Sequence, residues 1–115
     1  VSWRSSSGLR SWLLQRLSAI YIALSFVGFT ALLVMKSEPL TYEVWRAWVA
    51  SPVINVALAL FVLAMLVHAW VGIRDVLMDY VHSSLVRFIL LISIGLGITG
   101  IALWALRILL LVKTA

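Results

Sequence analysis

One stretch concentrates the residues able to do chemistry: His68 to Tyr80, read H-A-W-V-G-I-R-D-V-L-M-D-Y. It begins inside a strongly apolar run and ends outside it. A histidine within a membrane is costly unless it has a ligand or a partner. On an α-helix each residue turns about 100°, so a step of eleven residues returns to nearly the same face. His68, Gly72, Asp75 and Asp79 therefore share one stripe, which Met65 and Phe61 continue into the apolar run. Asp79 falls about 16 Å from His68 along such a helix, with Tyr80 beside it. One face thus combines a potential metal ligand at depth, a glycine one turn on, and an acid next to a phenol near water. That arrangement suits a deep prosthetic group and a shallower redox ligand.

His68 has two open readings: a hydrogen bond to a neighbouring helix, or ligation of a metal or haem. Gly72 favours the second, because a glycine one turn away leaves room for a flat macrocycle against the backbone. A single histidine gives one axial ligand, so six-coordinate haem iron needs its other ligand from another chain. His82 lies about two turns beyond the apolar edge and reads as a solvated loop residue. Asp75 and Asp79 are like charges at i,i+4, which disfavours their joint ionisation unless cations such as Arg74 and Arg87 compensate. Tyr80 reads either as an interfacial belt residue or as a phenol that donates to a carbonyl and serves a proton route.

The elements that must carry these residues follow from hydropathy. The chain has 115 residues, 64% of them hydrophobic, and a mean hydropathy of +1.15. Soluble domains are about 45–50% apolar. Long apolar runs account for the excess and leave no room in this sequence for a soluble catalytic domain. There are no cysteines, which rules out thiolate-held iron–sulfur clusters and disulfides within the chain. The net charge of +5 comes mainly from scarce acids, and the arginines are dispersed near the ends of apolar runs, a pattern that speaks against nucleic acid.

The expected fold is an all-α membrane protein with transmembrane helices over about 17–35, 53–73 and 88–106, in one anchor domain spanning 1–115. Val1 to Ser11 reads as a polar arm, mobile or docked on a partner, and not as a cleaved signal peptide. Trp12 anchors the first span, and Gln15, Arg16 and Ser18 form a polar knot at its start. Arg16 either snorkels to lipid headgroups or pairs with a buried anion. A short interfacial helix is expected over Tyr42 to Val49, with Thr41 as N-cap, Glu43 in the first turn, and Leu40 and Trp45 at the staple positions. Trp45 and Trp48 share a face of it, as interfacial anchors or, alternatively, as rings packed on a partner. Ser51-Pro52 opens the second span, whose helix should run on to about Tyr80. Ser93 and Gly97 form a small-xxx-small pair suited to close helix packing. With three spans, Arg4, Arg10, Arg16, Arg74 and Arg87 fall on one side, and Lys36, Arg46, Arg107 and Lys113 on the other. Five against four places the N-terminus inside by a narrow margin.

The run H-A-W-x-G-x-x-x-V-x-x-D-Y-V from His68 to Val81 resembles the second helix of the hydrophobic membrane anchor subunit of succinate dehydrogenase, respiratory complex II, in its four-subunit bacterial form. L-T-Y-E-V-W from Leu40 to Trp45 and R-x-S-A-I from Arg16 to Ile20 are similar to that family as well. The resemblance covers most of the chain and implies specific roles. His68 matches an axial ligand of haem b, Arg16 an arginine near the haem propionates, Tyr80 a tyrosine that hydrogen-bonds a ubiquinone carbonyl, and Asp79 its acidic neighbour. The implied partners are a second, cytochrome b-type anchor subunit in the same bundle, an iron–sulfur subunit, a flavoprotein subunit that oxidises succinate, and membrane lipid. The implied location is the bacterial inner membrane, with the N-terminus cytoplasmic. The chain departs from the expected pattern at Arg74-Asp75 and His82-Ser83, which bears on the proton path. Rival readings are a fumarate reductase anchor working with a low-potential quinone, a cofactor-free structural anchor, and a small proton conductor built on the His68–Asp79 stripe.

Overall fold

The computed structural model describes the backbone of residues 3–114 and the side chains of residues 8–112. It contains α1 (Trp3–Val34), α2 (Tyr42–Ala50), α3 (Pro52–Tyr80) and α4 (Ser84–Thr114). Three of these, over Gly8–Val34, Pro52–Tyr80 and Ser84–Val112, are long and apolar enough to cross a membrane. The second and third expected spans lie inside such a helix, the first runs one residue past the end of α1, and α2 lies between the first and second as expected. Arg4 and Lys113, two of the charges weighed for sidedness, lie outside the described side chains.

The helices outrun their apolar windows. Residues 3–11, expected as a polar arm, are the first turns of α1; residues 1 and 2 lie outside the described backbone. Hydropathy reports where lipid begins, not where the helix must begin. Once a membrane helix exists, each added turn needs no new nucleation, and serine disfavours a helix only weakly.

The ends are set by local chemistry. Thr41 caps α2, its side chain accepting from Val44 N at 3.3 Å, and Glu43 lies in the first turn. Ser51 closes α2 and opens α3 with Pro52 at its first position. Its hydroxyl makes no N-terminal cap and instead donates to Trp48 O at 2.7 Å. α3 stops at Tyr80, and Arg87 Nε returns from α4 to donate to Val81 O at 3.1 Å.

α3 is the central element, packed against α1, α4 and α2. Few of the described residues are buried, namely Val49, Val71, Leu109, Ser18 and Asn55, and each keeps a little exposure. Leucines, isoleucines and valines dominate the exposed surface. That is ordinary for a bundle in lipid, where tails solvate apolar side chains and small or polar residues hold the helices together. Tyr21 donates from α1 to Ala57 O at 3.1 Å, and Asn55 donates to Val49 O at 3.1 Å and Leu109 O at 3.0 Å. An aromatic chain adds to this: Phe29 meets Trp48 edge-on at 6.0 Å and Phe61 at 5.8 Å, and Trp45 lies 5.4 Å from Trp48. Trp48, expected as an interfacial anchor, is therefore packed within the chain. The Ser93–Gly97 pair is not used here: Gly97 has open space where a Cβ would go, while Gly95 faces the Trp70 ring at 3.7 Å.

Asn55 ties α2, α3 and α4 at one end with a single amide. Asn55→Ala should lower stability by about 1–2 kcal/mol, the scale of interhelical hydrogen bonds in membranes. The readout is thermal unfolding of the purified protein in detergent. An unchanged transition would show that lipid-side relaxation replaces the tie.

Candidate functional site

His68 lies at mid-height on α3, half-buried, and faces α1. Its Nδ1 is 3.1 Å from Ser18 Oγ, and the same hydroxyl donates to Gln15 O at 3.1 Å. Among the described residues Gln15 Oε1 is the one side-chain nitrogen or oxygen both buried and unpaired. Nε2 of His68 has no hydrogen-bond partner among the described residues and is not enclosed, so it keeps an open face. No group of three His, Cys, Asp or Glu side chains able to hold a metal comes together among the described residues. Any iron at His68 must take its remaining ligands from elsewhere.

Towards the start of α1 the two helices open into a cavity of about 510 Å³, lined by Trp12, Gln15, Arg16, Arg74 and Asp75 among others. Arg74 Nη2 donates to Ser11 Oγ at 2.6 Å and meets Asp75 Oδ1 at 3.2 Å. Both partners of that ion pair are partly exposed, so it contributes at most about 1 kcal/mol. Arg16 has no carboxylate partner among the described residues; its guanidinium lies 5.7 Å above the Trp12 ring. A cation–π contact of this kind is worth about 0.5–1 kcal/mol when exposed, and it leaves the guanidinium's donors available. At Gly72 a Cβ would sit 3.3 Å from Gln15 Nε2, so the missing side chain leaves room for the Gln15 amide of α1.

The last turn of α3 carries Asp79 and Tyr80, both exposed, and Tyr80 is 77% accessible. Asp79 has no ion pair among the described residues. The expected compensation is split. Arg74 pairs with Asp75, whereas Arg87 turns to Val81 O and to Met78 Sδ at 3.6 Å. His82 is exposed in the connection to α4. A carboxylate and a phenol are thus left free where the helix ends.

The helical repeat put His68, Gly72, Asp75 and Asp79 on one stripe of α3 but did not show what Ser18, Gln15 and Ser11 do. The only signal was that polar residues cluster on the entry turns of an apolar span. Their partners on α3 are fifty or more positions away.

Comparison with known proteins adds the following. The family described as succinate dehydrogenase/fumarate reductase transmembrane subunit matches residues 2–99. The chain is 26% identical over 109 residues to a succinate dehydrogenase hydrophobic membrane anchor subunit of Coxiella burnetii, covering 95% of this chain and 94% of that one. Proteins of the same description from Rickettsia bellii and Rickettsia felis are 30% and 34% identical. Those alignments cover 80% of this chain and 73% of the first, and 79% of this chain and 75% of the second.

Proposed function

The chain belongs to the succinate dehydrogenase/fumarate reductase transmembrane subunit family, as a multi-pass membrane anchor, and from that premise we propose that it serves a bacterial succinate:ubiquinone oxidoreductase as half of a haem b site and part of a quinone site. It does not oxidise succinate. It docks a peripheral flavoprotein and iron–sulfur subunit at the side of the membrane where α1 begins and α3 ends, which in this reading is the cytoplasmic face of the inner membrane.

The observation that carries the haem reading is the division of labour on the His68 ring: Nδ1 is engaged by α1, while Nε2 is unpaired and open. The surroundings fit the group. Arg74 is six residues from His68 on the same helix, about 9 Å along its axis, and Arg16 faces the same cavity. Two guanidiniums there would meet the propionates as charge-assisted donors. A second, cytochrome b-type anchor subunit would give the other axial ligand. When bound, the haem supplies one-electron redox chemistry within the bundle. The test is a reduced-minus-oxidised spectrum of the purified complex: a b-type band is expected, and its absence would leave a cofactor-free structural anchor.

Arg16 makes a separate prediction. A cation beside the haem favours its reduced, more negative form. Arg16→Leu should therefore lower the haem midpoint potential and weaken haem retention, with Arg74 limiting the loss. Parent values of both would assign Arg16 to the headgroups instead.

For the quinone, the Tyr80 phenol is the donor and Asp79 the neighbouring acid. Both are accessible at the end of α3, where a headgroup with an apolar tail would reach the membrane surface.

A further inference from the structure

We infer that Ser18 is the positioning residue of His68: its oxygen accepts a hydrogen bond from Nδ1–H and thereby fixes the tautomer in which Nε2 carries the ligating lone pair. The inference rests on the haem reading above and goes beyond it by naming what sets the ligand's state. Ser18 is only 8% exposed, so its hydroxyl takes its partners inside the bundle. It has one proton to give. The Gln15 carbonyl, one turn back on the same helix at 3.1 Å, can only accept, so the proton goes there. What Ser18 then offers α3 is a lone pair, at 3.1 Å from Nδ1. A ring nitrogen facing an acceptor must carry the hydrogen, and in neutral imidazole the other nitrogen is then bare. Had the hydroxyl given its proton to Nδ1, Nε2 would hold a hydrogen and could not bind iron.

The bond should also act on the ligated state. An N–H held by an acceptor makes imidazole a more basic ligand, and such outer partners typically matter by about 10–100-fold in metal affinity. Greater basicity favours oxidised iron. Ser18→Val should therefore raise the haem midpoint potential of the purified complex. It should also speed haem loss to an apoprotein acceptor by about 10-fold or more. Ser18→Thr, which differs from valine by a hydroxyl in place of a methyl, should stay near the parent. Tyr21→Phe is the control for packing alone. It removes another α1–α3 bond, that to Ala57 O, without touching His68, and should leave the potential at the parent value.

Equal potentials in the valine and threonine variants overturn the assignment, as does an equal shift in Tyr21→Phe. Should the valine variant fail to assemble, Ser18→Cys takes its place, because a thiol is a poor acceptor of similar size. It too should shift the potential upwards, and a parent potential in it overturns the role of Ser18. Failure of the underlying reading looks different: the parent complex itself would then contain no haem.

Discussion

His68→Leu is expected to abolish the low-spin b-type spectrum of the assembled complex. The chain can offer iron one ligand at this depth. The other histidine, His82, is exposed in the connection beyond α3, and no group of three His, Cys, Asp or Glu side chains gathers among the described residues. With one axial ligand gone, six-coordinate iron is lost whatever the partner subunit provides. The substitution is also clean in terms of folding. Leucine is similar in bulk, and Ser18 keeps its bond to the Gln15 carbonyl, so no buried donor is stranded. A fall in assembled complex is expected only to the extent that a haem bridging two chains stabilises their association. The measurement is a redox difference spectrum, with electron paramagnetic resonance of the oxidised form, on complex purified in equal amounts from parent and variant. A parent-like spectrum from the leucine variant would move the haem, if there is one, away from this helix and leave His68 with the bond to Ser18 as its whole role.

Much of the site's position was legible because it follows from periodicity along a single helix. The eleven-residue return from His68 to Asp79 needs only the helical repeat, and α3 does end at Tyr80. The limits of α2 and its cap at Thr41 were legible too, since a capping residue, an early acid and a break at Ser51-Pro52 are local signals. What stayed hidden is whatever depends on a neighbour. Ser18 and His68 are fifty residues apart, and nothing in either segment names the other. Asn55 looks like an isolated polar residue in an apolar run until Val49 and Leu109 are placed beside it. Gly72 shows the same limit: the room left by its missing side chain was visible, but not that the Gln15 amide of α1 lies beside it. The N-terminal extension of α1 was hidden for another reason. Hydropathy marks the lipid boundary, and residues 3–11 continue the helix beyond it without changing that boundary.

Tyr80→Phe should separate quinone reduction from everything upstream of it. The ring is 77% exposed in this chain and its hydroxyl makes no hydrogen bond among the described residues, so losing it breaks no hydrogen bond within the chain. Haem content and assembly should accordingly match the parent. A quinone headgroup is polar at its carbonyls and apolar elsewhere, which suits the end of a membrane helix where lipid meets protein. As electrons arrive, negative charge grows on a carbonyl oxygen, and a phenol aimed at that oxygen binds it more strongly as the reaction proceeds. Removing one such donor costs on the order of 2–4 kcal/mol in the rate-determining state, or about 100-fold in rate. In the proposed site Asp79, which has no ion pair among the described residues, would take up a proton from water and pass it to the phenolate. Succinate:ubiquinone turnover should therefore collapse, whereas succinate oxidation with a soluble dye, which takes electrons before they reach the membrane, should hold. Loss of both activities would point to disturbed docking of the peripheral subunits. Parent turnover and parent affinity for ubiquinone in the phenylalanine variant would make Tyr80 an interfacial belt residue, and the quinone would then have to be held by other residues of the complex.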